Sequence, residues 1–305
     1  MIRRIYSLLT VMLMTATAVL AQDATTDTPV LKNKKGEAYL PVTDEWALGI
    51  SATPFLGYIG NFLNGTLNQG SPAFTYASNP ASSVPNGIAI FGKKMVDEHT
   101  AYRVRFNVTV RSIMNKAVVV QDNVNANPAF PAFAEDWQKV STTSLVIAPG
   151  YEKRRGSTRL QGIYGGELVV GLNVNHVKYQ YGNPMTSDFQ TPTTSNFSGQ
   201  GFGNNILGGG ARVTDDKQGM NFLVGARGFI GVEYFLFPKI SLGGEFGYMV
   251  AWQTQRRNTT TSQVWDGGNN NVRETKTDSY SNGGRTTLGV GVDNLSSSIN
   301  LLFYF

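Results

Sequence analysis

From residue 46 onward, apolar and polar positions alternate with a period of two. In 101–115, Tyr102, Val104, Phe106, Val108 and Val110 hold one parity and Arg103, Arg105, Asn107, Thr109 and Arg111 the other. Such alternation predicts a strand with one apolar and one polar face, and this one is about twice the usual 5–6 residues. The pattern recurs in eight segments, 46–63, 87–95, 101–115, 142–153, 158–179, 220–236, 240–256 and 285–305. In the sixth, Phe222, Val224, Ala226, Ile230, Val232 and Tyr234 oppose Gly225, Arg227, Phe229, Gly231 and Glu233. In the seventh, Ile240, Leu242, Phe246, Tyr248, Val250 and Trp252 oppose Ser241, Gly243, Glu245, Gly247, Ala251 and Gln253.

The connections alternate as well. Short ones (96–100, 154–157, 237–239) follow the second, fourth and sixth segments, and long ones rich in Asn, Gly, Ser, Thr and Pro (64–86, 116–141, 180–219, 257–284) follow the others. An even number of long strands, short turns at one end and long loops at the other predict an eight-stranded antiparallel transmembrane β-barrel of outer-membrane type, with periplasmic turns and extracellular loops. A soluble eight-stranded barrel has no need to place every long loop on one side. Aromatic residues stand near segment ends (Trp46, Tyr102, Tyr151, Tyr234, Trp252), where interfacial girdles belong. In the last segment Leu288, Val290 and Val292 share one parity and Leu295, Ile299, Leu301, Phe303 and Phe305 the other. A β-bulge near 293–294 would reconcile the two halves, whereas two separate strands would break the count of eight.

The faces assign the charges. Arg or Lys on a lipid face costs about 2–4 kcal/mol at the bilayer midplane, so the polar parity is expected inside. That gathers Arg103, Arg105, Arg111 and Arg227 with Glu152, Glu167, Glu233 and Glu245 into one lumen charge network. Unpaired buried charge is far more costly than paired charge, and an eight-stranded barrel has room for little beyond its side chains. The network is therefore expected to fill the interior, with a gated ion path along it as the alternative. The lumen glycines Gly225, Gly231, Gly243 and Gly247 leave space for the long side chains.

The first 21 residues carry Arg3 and Arg4, an apolar stretch from Leu8 to Leu20, and Ala21 before Gln22. This is the layout of a removed secretory signal peptide, and the apolar stretch is short for a membrane span. Residues 22–44 are polar and without period and are expected to form a flexible periplasmic leader, leaving 45–305 for the barrel. In 305 residues there is no Cys, only 15% are charged, and 34 are Gly. Mean hydropathy is −0.17. These values exclude a helical membrane protein, a disulfide scaffold and a disordered chain. The net charge of +5 falls to about +3 without the first 21 residues, too weak and dispersed for nucleic-acid binding.

The chain ends Ile299-Asn300-Leu301-Leu302-Phe303-Tyr304-Phe305, alternately apolar with a terminal Phe. This resembles the C-terminal signature of bacterial outer-membrane barrel proteins, in which Phe303 and Phe305 would be read by the barrel-assembly machinery. The stretch from Asp44 through Trp46, Pro54 and Tyr58 to Asn61 is similar to the first strand of a group of small outer-membrane β-barrel proteins from the Bacteroidota. The resemblance spans 46–305. It implies fold and a cell outer-membrane location, and it implies no catalytic residues.

Other chemistry is sparse. The two histidines, His99 in a short turn and His176 near the outer end of the fifth segment, are predicted at opposite ends of the barrel and cannot share a site. His176 with a loop Ser or Asp would be the base of a surface enzyme. Asp215-Asp216 and Asp266-Gly267-Gly268 offer oxygen ligands without the spacing of a known Ca²⁺ loop. The segment 225–231 is glycine-rich but lacks the strand-to-helix junction of a phosphate loop. The expectation is a non-enzymatic integral protein without cofactor or metal. Outer-membrane lipid surrounds it, and its loops or leader contact a protein partner, as an accessory subunit of a larger complex would. The alternative is a narrow channel for ions or small solutes.

Overall fold

The computed structural model describes residues 31–51, 89–122, 129–198, 204–278, 284–292 and 299–305. The predicted signal peptide, the first long loop and the upper part of the first segment lie outside them. The described residues form antiparallel strands β1 (Trp46–Ser51), β2 (Ala89–Asp97), β3 (Thr100–Val120), β4 (Phe133–Arg155), β5 (Leu160–Gln180) and β6 (Arg212–Lys217). These are followed by β7 (Asn221–Phe237), β8 (Ile240–Gln255), β9 (Thr259–Asp266), β10 (Asn271–Asp278), β11 (Arg285–Val292) and β12 (Ile299–Tyr304). Apart from a 3-10 turn at Gly208–Gly210, no helix interrupts them among the described residues.

Eight wall positions close into a ring. β1 to β5 pair in succession, β5 passes to β7 and β7 to β8. The upper half of β8 pairs with β11 and its lower half with β12, and β12 pairs back to β1. At the seam Trp46 and Phe305 exchange both backbone hydrogen bonds, at 2.9 and 2.8 Å. β11 and β12 thus share the eighth position. Between the pairs Val292 with Tyr248 and Ile299 with Gly244, the eighth wall advances seven residues while β8 advances four. An excess of three, an odd number, inverts the parity and explains the phase change. The segment is thus two strands rather than one bulged strand, and because both pair with β8 the count of eight wall positions is kept.

The faces divide by parity. Outward positions are apolar and exposed: Val110 is 69% exposed and Leu168 and Ile230 are each 65% exposed. Between the level of Tyr102 and Tyr151 and the level of Val110, no described outward side chain is charged. Below this belt Tyr102 and Tyr151 meet edge to face at 6.1 Å, and Lys94 lies over Trp46.

Three of the long connections are themselves partly strand. The hairpin of β3 and β4 continues to Val120 and Phe133, so most of 116–141 is paired. The connection 180–219 contains β6, which extends the upper end of β5, and 257–284 contains the hairpin of β9 and β10, which extends the sheet from β6. In β9 and β10 no residue is buried on either face, so the contrast between parities that reveals a strand is absent there.

Residues 31–44, expected to belong to a flexible leader, fold against the lower end of the ring. Tyr39 and Leu40 pack on Ala47, Met95, Ala101, Phe235, Leu302 and Tyr304. Lys239 donates to the Leu40 carbonyl at 3.0 Å and to Glu45 at 2.7 Å, and the Arg159 guanidinium lies 4.5 Å from the Tyr39 ring. Two apolar residues in a polar stretch suffice to seat it, because they cover apolar surface that would otherwise face water.

Candidate functional site

The inward parity of the lower half holds a cluster of five cations and four carboxylates. Glu233 on β7 receives Lys93 from β2 and Arg154 from β4, both at 3.0 Å. It also accepts from Ser241 at 2.6 Å and from the Tyr304 hydroxyl at 2.7 Å. Lys93 continues to Glu152 at 2.9 Å, and Glu152 to Arg103 at 3.0 Å. Arg103 reaches Glu167 and Glu245, each at 2.9 Å, and its guanidinium lies 4.2 Å from the Phe229 ring. Arg227 bridges Glu167 at 3.0 Å and Glu245 at 3.1 Å, and Arg105 closes the chain on Glu167 at 2.7 Å. Every β-strand of the ring except β1 and β11 contributes a side chain once Tyr304 of β12 is counted. All of these groups are buried except Arg105, which is 20% exposed on its upper side.

Seven of the eight sequence-predicted charges therefore meet. The eighth, Arg111, shares the inward parity but stands six residues above Arg105 on β3, about 20 Å along the strand, where it is partly exposed. Lys93 and Arg154 belong to the cluster and were not anticipated. Arg154 had a signal, sharing parity with Glu152 one step past the assigned end of that segment, whereas Lys93 shares parity with the apolar Phe91 and Met95. Phe303 and Phe305 both face outward at the seam.

The cluster fills its space. The cavity it leaves, lined by Phe91, Lys93, Arg103, Glu233, Glu245 and Leu302 among others, is about 10 Å³, about one water. Gly247 is part of that fit, since a Cβ there would stand 2.5 Å from the Arg227 Nε. Gly247→Ala is expected to cost about 1–3 kcal/mol by overpacking. Gly244→Ala, where a Cβ meets nothing within 4 Å, is expected to be near neutral. Denaturant midpoints of the two refolded variants check this.

Above the cluster a second packed unit covers the same inward face. Val140 on β4 and Val177 and Tyr179 on β5 pack with Phe197 and Val213 from the connection 180–219. Asp136, fully buried, accepts the Gly182 and Ser195 amides, each at 2.8 Å. Asn183 donates to the Val120 and Thr193 carbonyls and accepts from the Asp122 amide. Arg212 donates to the Asn183 carbonyl at 2.8 Å and stacks 4.3 Å over Tyr181. Burial pushes the Tyr181 phenol up from its ordinary value, against the opposing hydrogen bond from Asn205. The described parts of the connection, 180–198 and 204–219, thus cover the upper sheet.

The remaining candidates separate. His99 lies in the lower turn between β2 and β3, where its amide donates to Asp97 at 2.7 Å. His176 lies on the outward face of β5 in contact with Asp215. Ser141 is opposite it in register, with no hydrogen bond between Ser141 and His176. Asp216 accepts from Thr260 at 3.0 Å. Asp266 caps the turn between β9 and β10, accepting from the Gly268 amide and the Asn269 side chain. Among the described residues no three His, Cys, Asp or Glu side chains are grouped to hold a metal ion. In comparisons with known proteins, no family model matches the chain and no curated protein matches it.

Proposed function

We propose that this is a non-conducting integral outer-membrane β-barrel. Its ring anchors an outward-facing platform, made of the sheet β6, β9 and β10 with the connection 180–219, and that platform contacts partner molecules. The observation that carries this reading is the filled interior: a paired charge cluster with about one water of free space, stoppered below by an apolar layer and covered above. The membrane location is supported by the uncharged, exposed apolar belt, the aromatic level beneath it, and the cost of such a surface in water. A closed ring also removes the sheet edges that lipid cannot satisfy.

The test is conductance of the purified full chain in planar bilayers. No discrete openings are expected. Openings whose size or selectivity changes in Arg105→Gln would overturn the filled interior in favour of a narrow channel. Hydrolysis of vesicle phospholipid that disappears in His176→Ala would overturn the non-enzymatic reading. Purification from native membranes in mild detergent is expected to retain a stoichiometric partner on the outward platform.

A further inference from the structure

The outward face changes chemistry within two rows above the apolar belt. The row Val110, Thr143 and Val174 is followed by Ser112, Ser141 and His176, and then by Met114, Lys139 and Lys178. Lys139 and Lys178 are direct cross-strand neighbours, both exposed. Like charges in that relation repel, yet among the described residues neither lysine has a carboxylate within ion-pair distance. The nearby acids are committed elsewhere. Asp215, opposite Lys178 in register, holds His176 and stands 3.6 Å from Lys217, and Glu135 holds Lys116 at 2.6 Å.

The height of the pair is informative. Twelve residues separate Tyr102 from Met114 on β3, about 40 Å along a strand and about 30 Å vertically at the usual tilt, against an apolar band about 25 Å tall. The two ammonium groups therefore stand just above the level at which lipid chains end and headgroup phosphates begin, with Trp137 one row higher.

We propose that Lys139 and Lys178, with Lys217 alongside, dock the phosphate of an anionic lipid in the outward leaflet. The phosphate sits between the two ammonium groups, cancelling their repulsion, and the acyl chains run down over Val110 and Val174. This rests on the membrane-spanning reading.

Native mass spectrometry of the detergent-purified full chain tests it, with phosphatidylglycerol and phosphatidylcholine offered in equal amounts. Wild type is expected to retain phosphatidylglycerol preferentially. At about fivefold per lysine near an anionic surface, the preference should fall by about twenty-five-fold in K139Q/K178Q, and Lys276→Gln, on the exposed outer strand β10, should keep it. Heat-modifiable gel mobility establishes that each variant is folded. Equal retention of the two lipids by wild type, or an undiminished preference in the double variant, overturns the proposal. Displacement of phosphatidylglycerol by millimolar inorganic phosphate also overturns it, by assigning the pair to a free anion. Failure of wild type to float with phosphatidylcholine vesicles would instead overturn the membrane reading itself.

Discussion

Glu233→Ala is expected to lower the stability of the folded ring by about 3–5 kcal/mol, the range for breaking a buried ion pair by removing one partner. Glu233 is fully buried and serves Lys93, Arg154, Ser241 and Tyr304 together. Its loss leaves Lys93 with Glu152, and Arg154 with the Tyr304 hydroxyl and no carboxylate within 4 Å. The interior already holds one more cation than carboxylate, and the variant raises that excess to two. Glu233→Gln keeps acceptors for Ser241 and Tyr304 and should cost less than alanine, though still well above Lys276→Ala on the exposed outer strand, which is expected within about 0.5 kcal/mol of wild type. Urea unfolding of the refolded protein, followed by Trp fluorescence and by heat-modifiable mobility, ranks the three. Equal midpoints for Glu233→Ala and Lys276→Ala would show that the cluster does not hold the ring.

Asp136→Ala is expected to act on a different layer. The carboxylate anchors the connection at Gly182 and Ser195 by two charge-assisted bonds, each of a kind that contributes about 1.5–3 kcal/mol. Removing it takes the acceptor from the Gly182 and Ser195 amides at the edge of the Val140, Tyr179 and Phe197 layer. The ring should keep its unfolding midpoint while protease cleavage between residues 181 and 211 accelerates by at least tenfold, since local opening and global unfolding have separate free energies. Cleavage rates unchanged from wild type would show that the cover is held by its apolar contacts alone.

Much of the ring was legible because outward and interior positions carry opposite chemistries on alternate residues. That contrast located β3, β7 and β8 and set the interior side of Arg103, Glu233 and Glu245. It fails where the contrast fades. The strands above the belt show no alternation: 117–120 is apolar on both parities, β6, β9 and β10 are largely polar on both, and all read as loop. At the lower end the inward face turns apolar at Phe91, Met95 and Phe235, so Lys93 between two such residues and next to Lys94 gave no clean parity. Arg111 shows the complementary limit: parity specifies which face a residue takes, while its height relative to residues of other strands is set by the stagger of the walls. No local pattern encodes that stagger.

The way the cluster crosses the ring constrains how the chain can assemble. Lys93 and Glu233 are 140 residues apart, Arg103 and Glu245 142, and Arg154 and Tyr304 150. Hairpins formed early, such as β3 with β4, bring together only part of this set, and closing contacts at such separations are slow to find. Until the walls close, cross-ring contacts such as Lys93 with Glu233 and Arg103 with Glu245 are missing, and in the membrane reading proposed above the surrounding medium cannot replace them. A half-built wall is therefore electrostatically worse than either the unfolded chain in water or the finished ring. Insertion should proceed as one concerted event, with no long-lived membrane intermediate in a refolding time course.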